Sequence, residues 1–143
     1  MARLRPGWLI AVCAAVLAVS VWLPWLTTTV NGGGHANAVG GTAGSLKLTP
    51  GFGAGQLIVL LTSALLVAGA MAARGLSTVA ASIAALMLSV IIAALTGWYH
   101  HLYISSDVVA GYGLYLGAAG AAGAIGFSAW ALVDAVLARR AVR

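Results

Sequence analysis

Charge is so sparse in this 143-residue chain that four long tracts, residues 6–46, 48–73, 75–106 and 108–133, carry none apart from His35, His100 and His101. An α-helix rises about 1.5 Å per residue, so about 20 apolar residues cross a hydrocarbon core about 30 Å thick. Each tract holds such a segment, and the spacing predicts membrane-spanning helices at 7–26, 55–73, 77–97 and 112–137. With 62% of its residues hydrophobic and 6% charged, the chain has little surface suited to water, and lipid is the expected solvent. The expected fold is an all-α integral membrane protein, one four-helix bundle with a small extracytoplasmic β-hairpin between its first two helices.

Arg3 and Arg5 ahead of an apolar stretch, with Ala18-Val19-Ser20 behind it, loosely fit a cleaved signal peptide. The apolar run continues through Val21-Trp22-Leu23, which favours a retained helix. Orientation follows from the cations, because Lys and Arg are kept on the cytoplasmic side of short loops. With both termini inside, Arg3, Arg5, Arg74, Arg139, Arg140 and Arg143 are cytoplasmic and Lys47 alone is outside. Aromatic residues favour the two interfaces. They agree with this orientation: Trp8 and Trp130 fall near inner ends, and Trp22, Trp25, Trp98, Tyr99, Tyr103, Tyr112 and Tyr115 near outer ends.

Arg74-Gly75-Leu76 allows only a tight turn, with Gly75 suited to a left-handed helix cap and Ser77 or Thr78 to the next N-cap. The first outer segment, 27–54, has eight glycines in 28 residues, with β-prone pieces at Thr27-Thr28-Thr29-Val30 and Ser45-Leu46-Lys47-Leu48-Thr49. A hairpin with a loose tip fits these pieces, while the composition also suits disorder. The second outer segment, 98–111, is expected to lie along the interface, and 138–143 to form a basic cytoplasmic tail.

Small residues recur every four positions in helix 3: Ser77, Ala81, Ala85, Ser89, Ala93 and Gly97. Helix 4 carries Gly113, Gly117, Gly120, Gly123 and Gly126, with Ala118, Ala119, Ala121, Ala122 and Ala124 between them, and helix 1 has Ala11, Ala14, Ala15 and Ala18. Lipid supplies no hydrophobic drive for helix association, so close approach through small residues is the main contact energy available. Packing of the chain's own bundle accounts for one face per helix. The surplus on helix 4 points to contact with another membrane protein.

Groups able to do chemistry are few: two Asp, no Glu, and one Cys. His35, His100, His101 and Asp107 would share the outer side, but adjacent histidines diverge on either a helix or a strand, so hydrogen-bonded interfacial roles are expected rather than a metal site. Asp107 after Ser105-Ser106 suits a helix N-cap. Asp134 is an ionisable group in an apolar helix and hence a functional suspect. It lies close enough to Arg139 and Arg140 to be solvated or paired. Cys13 reads as a buried hydrophobe and Gln56 as a helix-to-helix hydrogen-bonding group. The sequence contains no phosphate-binding Gly-rich loop, nucleophile elbow or HExxH motif.

Val21-Trp22-Leu23-Pro24-Trp25, followed by Thr27-Thr28-Thr29-Val30-Asn31-Gly32, resembles the small four-helix membrane proteins of actinobacteria, including mycobacteria, in which an LPW-type step precedes an extracytoplasmic hairpin. The resemblance implies a plasma-membrane location. For a few similar proteins it also implies the role of accessory subunit in a larger assembly, such as an Mce-type lipid transporter or a respiratory supercomplex. Independently of it, Pro24 ends or kinks helix 1 while Trp22, Pro24, Trp25 and Trp98 are expected to anchor the outer ends at head-group level. The function expected is that of a non-enzymatic accessory subunit without cofactor, docking through its small-residue faces onto other integral membrane proteins, in contact with lipid and not with nucleic acid. The alternative is an autonomous homo-oligomeric small transporter or lipid- or ion-binding protein; an outer-side metal sensor and a lipid-modifying enzyme rank below it.

Overall fold

A computed structural model describes residues 5–46 and 53–143. Among them are four α-helices, α1 (Pro6–Ser20), α2 (Ala54–Ala73), α3 (Thr78–Tyr103) and α4 (Tyr112–Val142), and four short strands, β1 (Pro24–Thr28), β2 (Gly34–Asn37), β3 (Thr42–Gly44) and β4 (Val109–Ala110). Each helix packs on its neighbours in sequence, and α1 closes the ring against α4. The expected bundle is therefore present, and α2, α3 and α4 are long and apolar enough to cross a membrane.

α1 is shorter than the span expected at 7–26. Pro6 sits in its first turn, where the missing N–H costs nothing. The helix stops at Ser20 because the chain tightens there: Trp22 N–H donates to Val19 O and Leu23 N–H to Ser20 O, and Pro24 then has no N–H with which to continue. The indole Nε1 of Trp25 also donates to Ser20 O at 2.7 Å, a second bond to the carbonyl that already accepts from Leu23 N–H. What looked like the last turn of a spanning helix is thus a turn followed by a strand.

The sheet has the order β3-β2-β1-β4 and is antiparallel throughout. Its strands differ from the pieces expected at 27–30 and 45–49: β1 starts earlier, at Pro24, β2 and β3 fall within the glycine-rich stretch, and residues 47–49 lie outside the described residues. The predicted loop 98–111 also differs, since α3 runs on to Tyr103 and the remainder supplies β4, which pairs Leu26 with Ala110 and Thr27 with Val109. Asp107 is not a helix cap. Gly111 is the N-cap residue of α4, and the Asp107 carbonyl instead accepts a hydrogen bond from Thr28 Oγ1, tying β1 to the segment before β4. The expected basic tail 138–143 is helical as far as Val142.

The α2–α3 turn forms as its residues predict. Gly75, at φ +77°, follows the last turn of α2, and Leu76 N–H donates to Met71 O while Gly75 N–H donates to Ala72 O, the paired bonds of a Schellman cap. Ser77 occupies the N-cap position of α3, but in the left-handed region and with no side-chain cap bond.

Sheet and bundle share one core, running from Ile10, Ala14 and Leu17 of α1 through Trp25 and Leu26 to Ala36 and Ala38. A register shift between Pro24 and Leu26 leaves Trp25 without a cross-strand partner. Such a bulge re-aims a side chain. Here the indole enters the mouth of the bundle, edge-on to Tyr99 with ring centroids 5.1 Å apart. Trp25 is fully buried, so it is a core residue and not the head-group anchor expected of it.

Candidate functional site

The small residues singled out in the sequence divide between the interior and the outer surface of the bundle. On α3, Ala81, Ala85 and Ser89 are buried, Ala93 is half-buried, and Ser77 and Gly97 are exposed. A strict four-residue repeat drifts by about 40° per step around a helix of 3.6 residues per turn. The stripe therefore crosses the packed face and leaves it at both ends. The face α3 buries is Ala81, Ser82, Ala85, Ser89, Ile92, Thr96 and Tyr99.

Gly113, Gly117 and Gly120 of α4 all face inward. A Cβ at Gly113 would lie 2.8 Å from Trp25 Cδ1, one at Gly117 2.8 Å from Trp25 Cζ2, and one at Gly120 3.1 Å from Leu17 Cγ. These glycines make room for the bulged indole and for α1.

The outward surplus lies elsewhere. Ala93, Gly97 and His100 of α3 and Leu114, Ala118, Ala122 and Ile125 of α4 line a groove of about 320 Å³ along the seam of the two helices, in the half of the bundle nearer the sheet. Ala118, Ala122 and Gly97 are exposed, and a Cβ at Gly97 would meet nothing within 4 Å. Such a groove, walled by small side chains and open on the outside of the bundle, can admit another helix to short backbone distance. Its chemistry is that of fit, with one imidazole, His100, at its mouth.

Around it the expected anchors take different positions. Trp22 is 67% exposed and Trp98 57%, both near the sheet end, whereas Pro24 is half-buried as the first residue of β1. Exposed aromatics mark the other end too, with Trp8 on α1 and Trp130 on α4. His35 on β2, His100 and His101 at the end of α3, and Asp107 are exposed, and no three His, Cys, Asp or Glu side chains among the described residues come close enough to hold a metal ion. Gln56 makes its expected long-range bond not to a helix but to the sheet connection: Nε2 donates to Val39 O at 2.8 Å. Cys13 is half-buried, against the backbone at Gly123.

At the end away from the sheet, Arg5, Thr78, Ser82 and Asp134 line a cavity of about 210 Å³ that receives residues of all four helices. Arg5 Nη1 is held by Ala73 O at 3.1 Å. Asp134 faces this cavity, and Arg139, Arg140 and Arg143 face a separate one of about 200 Å³ floored by Val79 and Val136. The sequence marks the arginines only as a rim attractive to anionic head groups, and Ala118 and Ala122 only as part of a surplus of small residues, without showing which of them share a cavity or a groove. The signal for the second was present: once Gly113, Gly117, Gly120, Ala124, Ser128 and Ala131 are taken as one buried face, Ala118 and Ala122 fall on another.

The chain matches no family model, no curated protein and no solved structure.

Proposed function

We propose that the chain is a non-enzymatic accessory subunit of the plasma membrane that docks, through the α3–α4 groove, onto a transmembrane helix of a larger assembly. The observation that carries this reading is the groove itself: the inward glycines of α4 are already filled by Trp25 and Leu17, yet Gly97, Ala118 and Ala122 offer a second, outward-facing small-residue surface. A lipid-transport assembly of the Mce type is the host that the sequence resemblance implies.

A tagged copy purified in mild detergent is expected to bring down one defined set of membrane subunits at fixed stoichiometry, and the Gly97→Leu/Ala122→Leu double variant, which fills the groove from two exposed positions, to lose them. Recovery of the protein with no other subunit overturns the docking reading. Recovery with itself alone supports the second reading, a small transporter working as a homo-oligomer. That reading draws on the cavity at the arginine end, where Asp134, a carboxylate just before the basic last turn of α4, stands among residues of all four helices.

A further inference from the structure

The arginine end of α4 carries a feature that bundle packing does not use. Arg139, Arg140 and Arg143 stand at i, i+1 and i+4, so Arg143 is a surface neighbour of both others, and Val136 lies one turn before them on the same face. The three arginines, all exposed, and two valines, Val79 of α3 and Val136 of α4, line one open hollow. Arg139 and Arg140 lie in the last turn of α4, where cations suit the negative end of the helix dipole, and Arg143 follows as the C-cap residue. Neither acid in the chain relieves them. Asp107 belongs to the sheet end, and Asp134 lies about 160° around α4 from Val136, facing the other cavity. The first turn of α3 borders the same space at Val79 and the last turn of α4 borders it too, so the two helix dipoles oppose one another there and the positive potential comes from the three arginines.

The surroundings specify what kind of anion fits. Moving from the arginines toward the sheet end, the same side of α3 and α4 presents Ile83, Val90 and Val133, all exposed and apolar. A ligand seated here meets forked cationic donors at one end and a hydrocarbon-facing surface at the other. Arginine forks match the oxygens of a phosphate, and apolar side chains match acyl chains.

We propose that Arg139, Arg140 and Arg143 form a discrete site for the phosphate of an anionic phospholipid whose acyl chains run along the Ile83–Val90–Val133 surface. The arginine cavity shares no lining residue with the α3–α4 groove, which lies on the same seam in the other half of the bundle, and it stands whether or not the docking reading does.

Native mass spectrometry of the purified protein in mild detergent tests it, with phosphatidylglycerol, phosphatidylcholine and inorganic phosphate as probes. The expected result is retention of phosphatidylglycerol in preference to phosphatidylcholine, undisturbed by an equal concentration of inorganic phosphate. The Arg139→Gln/Arg140→Gln/Arg143→Gln variant is expected to lose roughly tenfold or more of that retention, and Arg74→Gln, which removes a cation at the same end outside the cavity, to keep it. Equal retention of the two lipids, displacement by inorganic phosphate, or wild-type retention in the triple variant would each overturn the proposal. Should the triple variant not fold, the lipid preference of the unmodified protein and the phosphate competition still decide it.

Discussion

A side chain at position 117 has nowhere to go, because the Trp25 ring and the Ser20 hydroxyl already lie 2.8 Å and 3.1 Å from where its Cβ would be. Overpacking of this kind costs about 1–3 kcal/mol. Gly117→Val is therefore expected to lower the thermal unfolding midpoint in detergent, and Gly126→Ala, where nothing lies within 4 Å, to leave it unchanged or raise it. Equal effects at the two positions would mean that the indole does not occupy the mouth of the bundle. The glycines were visible in the sequence, but their roles were not. Small residues lie all round α4, so its period marks no single face. Only the place of Trp25, set by a bulge in a strand distant in sequence from α4, tells which glycines are filled. Trp25 itself looked like an interfacial tryptophan because it closes an apolar run, and a run of that kind does not distinguish a helix end from a buried strand.

Element boundaries follow the same logic. The three longer helices were legible from uncharged length alone, and the α2–α3 turn from Gly75, since both signals are local. β4 has two residues and gains its place only by pairing with β1, so no local pattern announces it. The end of α1 was half legible: Pro24 marks a stop, but the turn from Val21 to Leu23 depends on bonds back to Val19 and Ser20. The β1–β4 register yields a direct test. Thr27 and Val109 are opposite one another, a separation within reach of a disulfide, whereas Ala43 lies two strands from Thr27 and about 9–10 Å away. In a Cys13→Ser background, oxidation is expected to cross-link the Thr27→Cys/Val109→Cys pair and leave Thr27→Cys/Ala43→Cys open. The reverse pattern on a denaturing gel would remove β4 from the edge next to β1.

At the scale of the whole molecule, antiparallel packing of four helices brings Arg5 and the arginines of α4 to one end and the sheet to the other. Two pairs of exposed aromatics measure the apolar band between these ends. Trp8 and Trp22 are 14 residues apart along α1 and its closing turn, and Tyr115 and Trp130 are 15 apart along α4, so both pairs span about 21–23 Å. The two separations agree with one another, though they are shorter than a hydrocarbon core of about 30 Å, and exposed aromatics stand near both ends of the bundle, with the sheet at one end and the arginines at the other. The distribution of cations then orients the molecule: we propose that the arginine end is cytoplasmic and the sheet end extracytoplasmic. Single cysteines in the Cys13→Ser background test the assignment, since Ser106 and Ala141 are both exposed and lie at opposite ends. A membrane-impermeant maleimide added to intact cells is expected to label Ser106→Cys and to reach Ala141→Cys only after permeabilisation. Labelling of Ala141→Cys alone in intact cells would invert the topology, and it would place the arginine cavity in the outer leaflet without changing the chemistry that cavity selects.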